Sequence, residues 1–196
     1  MREVIKLAVV LTGITAVAGF ALAFFKQFTA PQIEYNMVRS VKAPAVAEVF
    51  ADVKPSNDPV ADRRKLVVGK DKRGRDVAVF AFPAKKDGKV VAVAIETFGV
   101  GYHDGLGVMT ALGTDGDRQG KIIKIAITSH AETPGKGDKV AEPKFREKFA
   151  GLASDKPVQI GQIDAISGAT MSSKGVVEAV NKAIEIFKSN ADKLKS

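Results

Sequence analysis

The 196-residue chain contains no cysteine. That excludes zinc–thiolate centres, cysteine-held iron–sulfur clusters and disulfides. Any redox role must use a cofactor that needs no thiolate, such as a flavin. Tryptophan is also missing, and aromatic residues make up only 7% of the chain, which is poor material for stacking nucleic-acid bases. The two histidines, His103 and His130, leave a metal site without a third ligand. The formal net charge is +8, yet no block of like charge stands out. The lysines and arginines are spread along the chain and read as a solvated basic surface, so no nucleic-acid partner is expected.

Several familiar motifs fail on inspection. Gly105-Leu-Gly107 would need glycine at position 110 to complete a dinucleotide fingerprint, and that position is Thr110. It also leads into strand-like sequence where the fingerprint requires a helix. The Gly116–Lys121 stretch has the wrong spacing for a phosphate loop, and Ile122 stands where Ser or Thr is required. No G-x-S-x-G elbow surrounds Ser167.

What is present begins with a long apolar run. Leu7 to Phe25 carries no charge and is long enough, as a helix, to cross about 30 Å of hydrocarbon. Arg2 and Lys6 precede it, which predicts a cytoplasmic N-terminus and an exported domain, although Lys26 on the far side narrows the bias. Ala21-Leu22-Ala23 also fits a signal-cleavage pattern. The run exceeds a usual signal core, so a retained anchor over residues 1–26 is the expectation.

Residues 27–60 read as a juxtamembrane helical segment and linker. Pro44 interrupts the helix or starts a second one, and Lys54-Pro-Ser-Asn-Asp-Pro59 is rich in turn formers. Residues 61–196 then form one domain. Strands are predicted at Val77–Phe82 (ending at Pro83), Val90–Val100, Val108–Leu112 and Lys121–Thr128. The Asp87-Gly88 and Asp115-Gly116 turns between them argue for antiparallel pairing. A short helix is predicted at Pro143–Phe149. A longer one runs from Ser173 to about Lys188, with Val176, Val177, Val180, Ala183, Ile184 and Phe187 on one face. The fold class is therefore α+β: a mostly antiparallel sheet with packed helices, preceded by one transmembrane helix.

Three stretches carry the chemistry. Asp164-Ala-Ile-Ser-Gly-Ala-Thr170 joins small residues to a helix start, where a phosphate finds free N–H groups and the positive end of the dipole. Ser172 or Ser173 is the expected cap of that helix. The bland alternative is a plain Ser/Gly/Thr turn with no ligand. Ser129-His-Ala-Glu-Thr-Pro-Gly-Lys-Gly-Asp138 follows a strand, and its glycines let backbone approach a flat ligand. Gly99-Val-Gly-Tyr-His-Asp-Gly-Leu-Gly107 is glycine-dense after another strand.

Together these stretches resemble the FMN-binding domain shared by the G subunit of Rnf electron-transport complexes and the C subunit of the sodium-pumping NADH:quinone reductase. Asp164-x-x-Ser-Gly-Ala-Thr170 resembles the family's flavinylation motif. His130-Ala-Glu-Thr-Pro-Gly-Lys-Gly137 resembles its H-x-E-T-P-G-L-G loop, with Lys136 where leucine is usual. Gly101-Tyr-His-Asp-Gly105 resembles its G-Y-x-G segment with one residue added.

The resemblance implies FMN held by a phosphoester to Thr170. A flavin transferase would install it from FAD, reading Asp164, Ser167, Gly168 and Ala169. The loop residues Glu132, Thr133, Gly135 and Lys136 would lie against the flavin. The stem of Lys136 could cover the ring, or its ammonium could favour the reduced anion. No residue is expected to be catalytic. The resemblance further implies an electron-carrying component of an ion-translocating ferredoxin:NAD+ oxidoreductase, anchored once in the plasma membrane with its domain outside the cytoplasm, among other membrane and redox subunits. The length favours the Rnf G subunit. The C subunit of the quinone reductase and a non-redox anchored domain are the alternatives.

Overall fold

The computed structural model describes residues 1–70, 74–103 and 105–195. The chain divides into two compact units, Met1–Val41 and Lys42–Ser196.

The first unit is dominated by one helix, α1 (Arg2–Met37). Its Arg2–Ala30 portion is long and apolar enough to cross a membrane, and none of the span's apolar window is buried by protein. Apolar side chains project on every side of it, among them Leu7, Leu11, Ile14, Phe20 and Phe24. In water such a surface would be unstable; in hydrocarbon it is matched to its solvent.

The second unit is built on a five-stranded sheet in sequential order. Its strands are β1 (Arg64–Lys70), β2 (Asp76–Lys86), β3 (Lys89–Val100), β4 (Gly105–Gly113) and β5 (Ile122–Ser129). Every neighbouring pair is antiparallel. The β2–β3 hairpin turns on Asp87 and Gly88, with φ of 50° and 78°. Two consecutive positive φ values are what a two-residue turn needs to follow strand twist, and Asp-Gly supplies them at little strain.

The strand predicted to stop at Pro83 continues to Lys86. Proline is tolerated there because β1 has already ended, at Arg64 opposite Ala81. On that side Asn57 takes over: its Nδ2 donates to Pro83 O at 3.0 Å, and Lys85 N donates to its Oδ1 at 2.7 Å. The missing N–H of Pro83 therefore falls where no ladder bond is required. Through these bonds the turn-rich 54–59 stretch is sewn into the second unit, which begins at Lys42 and so includes α2 (Ala43–Val49). Pro44 lies in the first turn of α2, where its lack of an N–H costs nothing.

One face of the sheet packs on α4 (Thr170–Ser189), through Val93, Ile95, Leu106, Val108 and Leu112 against Val176, Val180, Ala183 and Phe187. The opposite face packs on α2, through Ala84, Ala92, Ala94, Ala111 and Ala126 against Val46, Val49 and Phe50. The short α3 (Pro143–Arg146), a following 3₁₀ turn and α5 (Ala191–Lys195) complete the unit.

The seat of α4 is set by β3. The β2–β3 ladder ends at Ala81 opposite Ile95, so the last residues of β3 pair only with β4. There α4 approaches so closely that a Cβ on Gly99 would lie 1.8 Å from Gly175 O. Thr97 Oγ1 donates to Ala179 O at 2.6 Å, Val100 N to Glu178 Oε2 at 3.0 Å, and Lys182 Nζ to Phe98 O at 2.9 Å. Lys182 also pairs with Glu178 at 2.7 Å. These bonds, Lys182 foremost and then the Val100 N–H, hold the Glu178 carboxyl below its ordinary range.

Candidate functional site

α4 begins three residues earlier than the sequence predicts, at Thr170 in place of Ser173. The expected serine cap is therefore not formed: Ala169 holds the cap position and has no side-chain cap bond. Ser172 and Ser173 are buried in the first turn instead. Ser173 Oγ donates to Ala169 O at 3.0 Å and accepts from Ile166 N at 3.1 Å. It thus folds the preceding loop back onto the helix. Asp164 and Gly168 take positive φ of 49° and 76°, and Ala169 N closes a turn onto Ile166 O at 2.9 Å. Lys148 Nζ caps Asp164 O at 2.9 Å. Small residues are needed here because the chain reverses twice within a few residues.

This geometry leaves the Thr170 hydroxyl exposed at the head of a 20-residue helix. Among the described residues, no protein acceptor takes the N–H of Thr170, Met171 or Ser172. Those groups and the helix dipole favour a negative charge beside the hydroxyl.

The hydroxyl opens onto a groove of about 480 Å³ lined by Tyr102, Glu132, Thr133, Lys136, Gly137, Gly168, Ala169, Thr170, Met171 and Ser172. Three stretches far apart in sequence meet there. Glu132, Thr133, Lys136, Gly168, Ala169 and Thr170 all reach the groove; Ser167 and Gly135 do not line it. Gly135 shapes the loop from outside, at φ 75°, with its N–H donated to Asp138 Oδ2 at 2.9 Å. Thr133 O accepts from Gly137 N at 3.0 Å and so closes that loop. Lys136 is exposed at the rim, and its ammonium has no recorded partner among the described residues.

The structure adds residues to which the motif reading gave no role. Tyr102 and Met171 are exposed by 69% and 51% and give the groove two apolar walls. Next to Tyr102, His103 Nε2 lies 3.1 Å from Thr133 Oγ1. Asp104, part of the glycine-dense stretch, lies outside the described residues.

Glu132 is the least exposed polar group in the groove apart from Ser172, at 6%. Its Oε1 accepts from Tyr102 N at 2.9 Å, and its Oε2 accepts from the Ser172 hydroxyl. The arrangement has an anion-favouring helix start with a reactive-type hydroxyl, a glycine-lined approach, and two apolar side chains that suit a flat ring.

Comparison with known proteins agrees with this geometry. A family profile described as the FMN-binding domain matches residues 101–185, a span that holds the Ser129–Asp138 and Asp164–Thr170 stretches whole and the glycine-dense stretch from Gly101 onward. The G subunit of the ion-translocating oxidoreductase complex of Cereibacter sphaeroides is 32% identical, over 73% of this chain and 66% of that protein, just under two thirds of its length. The G subunit of the Na(+)-translocating ferredoxin:NAD(+) oxidoreductase complex of Acetobacterium woodii is 30% identical, over 95% of this chain and 92% of the relative. Among solved structures, NqrC of Shewanella oneidensis superposes with a TM-score of 0.52 at 27% identity, covering 67% of this chain and 69% of that one. The C subunit of the Na(+)-translocating NADH-quinone reductase from Parabacteroides distasonis also scores 0.52, at 19% identity, over 83% of this chain and 94% of that one, a likeness of fold. With its FMN-binding domain and its near full-length match to the Acetobacterium protein, this chain belongs to the G-subunit family of ion-translocating oxidoreductase complexes.

Proposed function

We propose that the chain is an electron-carrying component of a membrane-bound ion-translocating ferredoxin:NAD+ oxidoreductase, and that it holds FMN through a phosphoester to Thr170. The observation that carries this reading is the exposed Thr170 hydroxyl at the head of α4, beside N–H groups that no acceptor among the described residues uses. The resident FMN would accept and release electrons; the residues around it bind and orient it. Gly168 and Ala169 keep the approach to Thr170 open, with Ser167 and Asp164 in the stretch that a flavin transferase reads. Thr133, Gly135, Lys136 and Glu132 form the facing loop.

Attachment balances as a transfer from FAD. Thr170 would supply the oxygen that bonds to the FMN-side phosphorus as the phosphoanhydride bond breaks, with AMP as the leaving group and the hydroxyl proton passing to water. The diester keeps a negative charge, which the start of α4 stabilises. The other membrane and redox subunits of the complex are the working partners. α1 crosses the plasma membrane once, with Arg2 and Lys6 on the cytoplasmic side and the sheet unit outside.

The likeness to NqrC of Shewanella oneidensis supports a second reading, as the corresponding component of a Na+-translocating NADH:quinone reductase. Identity to full-length G subunits favours the first. Intact mass spectrometry of the chain, purified after co-expression with a flavin transferase, tests the shared core of both. The expected result is a mass increased by FMN less one water, absent from Thr170→Ala. An unmodified wild-type mass overturns the covalent assignment.

A further inference from the structure

Glu132 is a carboxylate that the chain has buried without a recorded ion-pair partner among the described residues. Its surroundings are shaped to keep it. A Cβ on Gly101 would lie 2.1 Å from Glu132 Oε1, and one on Gly137 would lie 2.6 Å from Oε2 and 2.8 Å from Ser172 Oγ. Both neighbours are glycines because the carboxylate fills the space that their side chains would need. The group spans three segments: the 101–102 connection after β3, the loop after β5, and the first turn of α4. Its two bonds reach 30 residues back, to Tyr102 N, and 40 residues forward, to Ser172 Oγ.

We infer that Glu132 is a positioning residue that fixes the first turn of α4, and with it the Thr170 hydroxyl, at a set distance from the Tyr102 wall of the groove. This inference rests on the reading of Thr170 as the attachment point. The physical argument is one of leverage. Thr170 is the first residue of its helix, and helix ends fray unless their first turn is tied down. Ala169 supplies no side-chain cap. The Ser172–Glu132 bond supplies the tie from within, two residues past the hydroxyl. The same carboxylate holds the backbone of Tyr102, so one group sets both walls between which the ring would lie. A hydroxyl that wanders presents itself to the transferase for a smaller fraction of the time, and a small misplacement lowers a rate sharply.

The effect should appear in the rate of flavin transfer and leave recognition unchanged. A buried hydrogen bond of ordinary strength, if it sets the reacting geometry, corresponds to about ten-fold in rate. The test uses the full-length apo chain in detergent, FAD and a flavin transferase, with covalent FMN followed by in-gel fluorescence. Ser172→Ala cuts only the helix arm of the brace and should lower the maximal transfer rate about ten-fold, with the KM for the chain unchanged. Glu132→Gln removes the charge with little change of shape and should lower it by a smaller factor. Combining Ser172→Ala with Glu132→Gln should be no slower than Ser172→Ala alone, because the amide still offers an oxygen to the Tyr102 N–H, so that both changes weaken only the helix arm. Folding of each variant is checked by its melting curve.

Wild-type transfer kinetics in folded Ser172→Ala would overturn the positioning role, as would a rise in KM with no change in maximal rate. Additive losses in the double variant would overturn the single-brace arrangement. Thr170→Ala separates the two levels. If it remains unmodified while Ser172→Ala behaves as wild type, only the brace fails. If it still acquires FMN, the attachment reading fails.

Discussion

The two faces of the sheet are packed by different means. On the α4 face the side chains are large and branched: Leu66, Val93, Ile95, Leu106, Leu112, Ile122 and Ile125. On the α2 face five of the sheet residues are alanines, relieved mainly by Phe82 and Met109. Alanines let the seven-residue α2 lie close while burying few methylene groups, so that face gains less from removing apolar surface from water. Ion pairs assist it: Lys42 Nζ with Glu96 Oε2 at 2.9 Å, and Arg146 with Glu48. The α4 face combines bulk with close seating, since Gly99 and Gly175 bring helix and strand into backbone contact. Placement is thus most demanding where the helix start forms part of the groove, and looser on the face that only closes the core.

The largest effect should come from separating the chemistry of α4 from its packing. Thr170→Ala is expected to abolish covalent flavin completely, with a melting curve like that of wild type, because the Thr170 side chain is exposed. Residual fluorescence after denaturation would place the link elsewhere. Next in size is a pair of substitutions, one per face. Gly99→Val drives a side chain into Gly175 O and should destabilise the sheet unit by about 3 kcal/mol or more, whereas Ala94→Val on the other face should cost about 1–2 kcal/mol. Denaturant unfolding of the detergent-solubilised chains measures both; equal losses would remove the distinction between the faces.

A smaller effect is expected at the groove rim. Lys136→Leu removes an exposed ammonium and should lower the flavin midpoint potential by tens of millivolts at most, because solvent screens the charge. The covalent yield should not change. A redox titration that finds equal potentials would place the ammonium out of range of the ring, and a raised potential would reverse the sign of the electrostatic argument.

The smallest effect concerns Glu178, which ties α4 to the end of β3. Its folded pKa is lowered from the ordinary 4.5, chiefly by Lys182 and then by the Val100 N–H. A lowered pKa means that its contribution is present above the unfolded value and fades as pH falls through the folded one. Glu178→Gln should therefore lose a little stability at neutral pH and show a flatter acid limb in melting temperature against pH. An acid limb as steep as that of wild type would show that other carboxylates carry it.

How much of this is legible in the sequence depends on how far apart the cooperating residues lie. β2 to β5 announce themselves through local apolar runs rich in β-formers, with Asp-Gly turns after β2 and β4. β1 does not: Arg64–Lys70 offers only Leu66, Val67 and Val68 among charged residues, and a register shift between Val67 and Gly69 breaks its alternation. The extension of β2 past Pro83 depends on Asn57, 26 residues upstream, and no local rule reveals it. The start of α4 is hidden because buried and capping serines look alike in one dimension. The motif stretches are readable as glycine-rich and anion-friendly, and their resemblance to a family joins them. Tyr102 and Met171 as groove walls, and the bridging of Glu132 to both sides, exist only once the strands and α4 are in register.

The bonds from Glu178 and Lys182 to the far end of β3 also bear on self-association. A strand edge with unsatisfied N–H and C=O groups is a template on which another chain can add a strand. Beyond Ile95, β3 has lost β2 as a neighbour, and that stretch would be such a template. The two charged side chains occupy its Val100 N–H and Phe98 carbonyl, and Asn57 does the same for β2 around Pro83. These stretches of β3 and β2 therefore offer an incoming strand fewer free backbone groups than their lack of a neighbouring strand alone would leave.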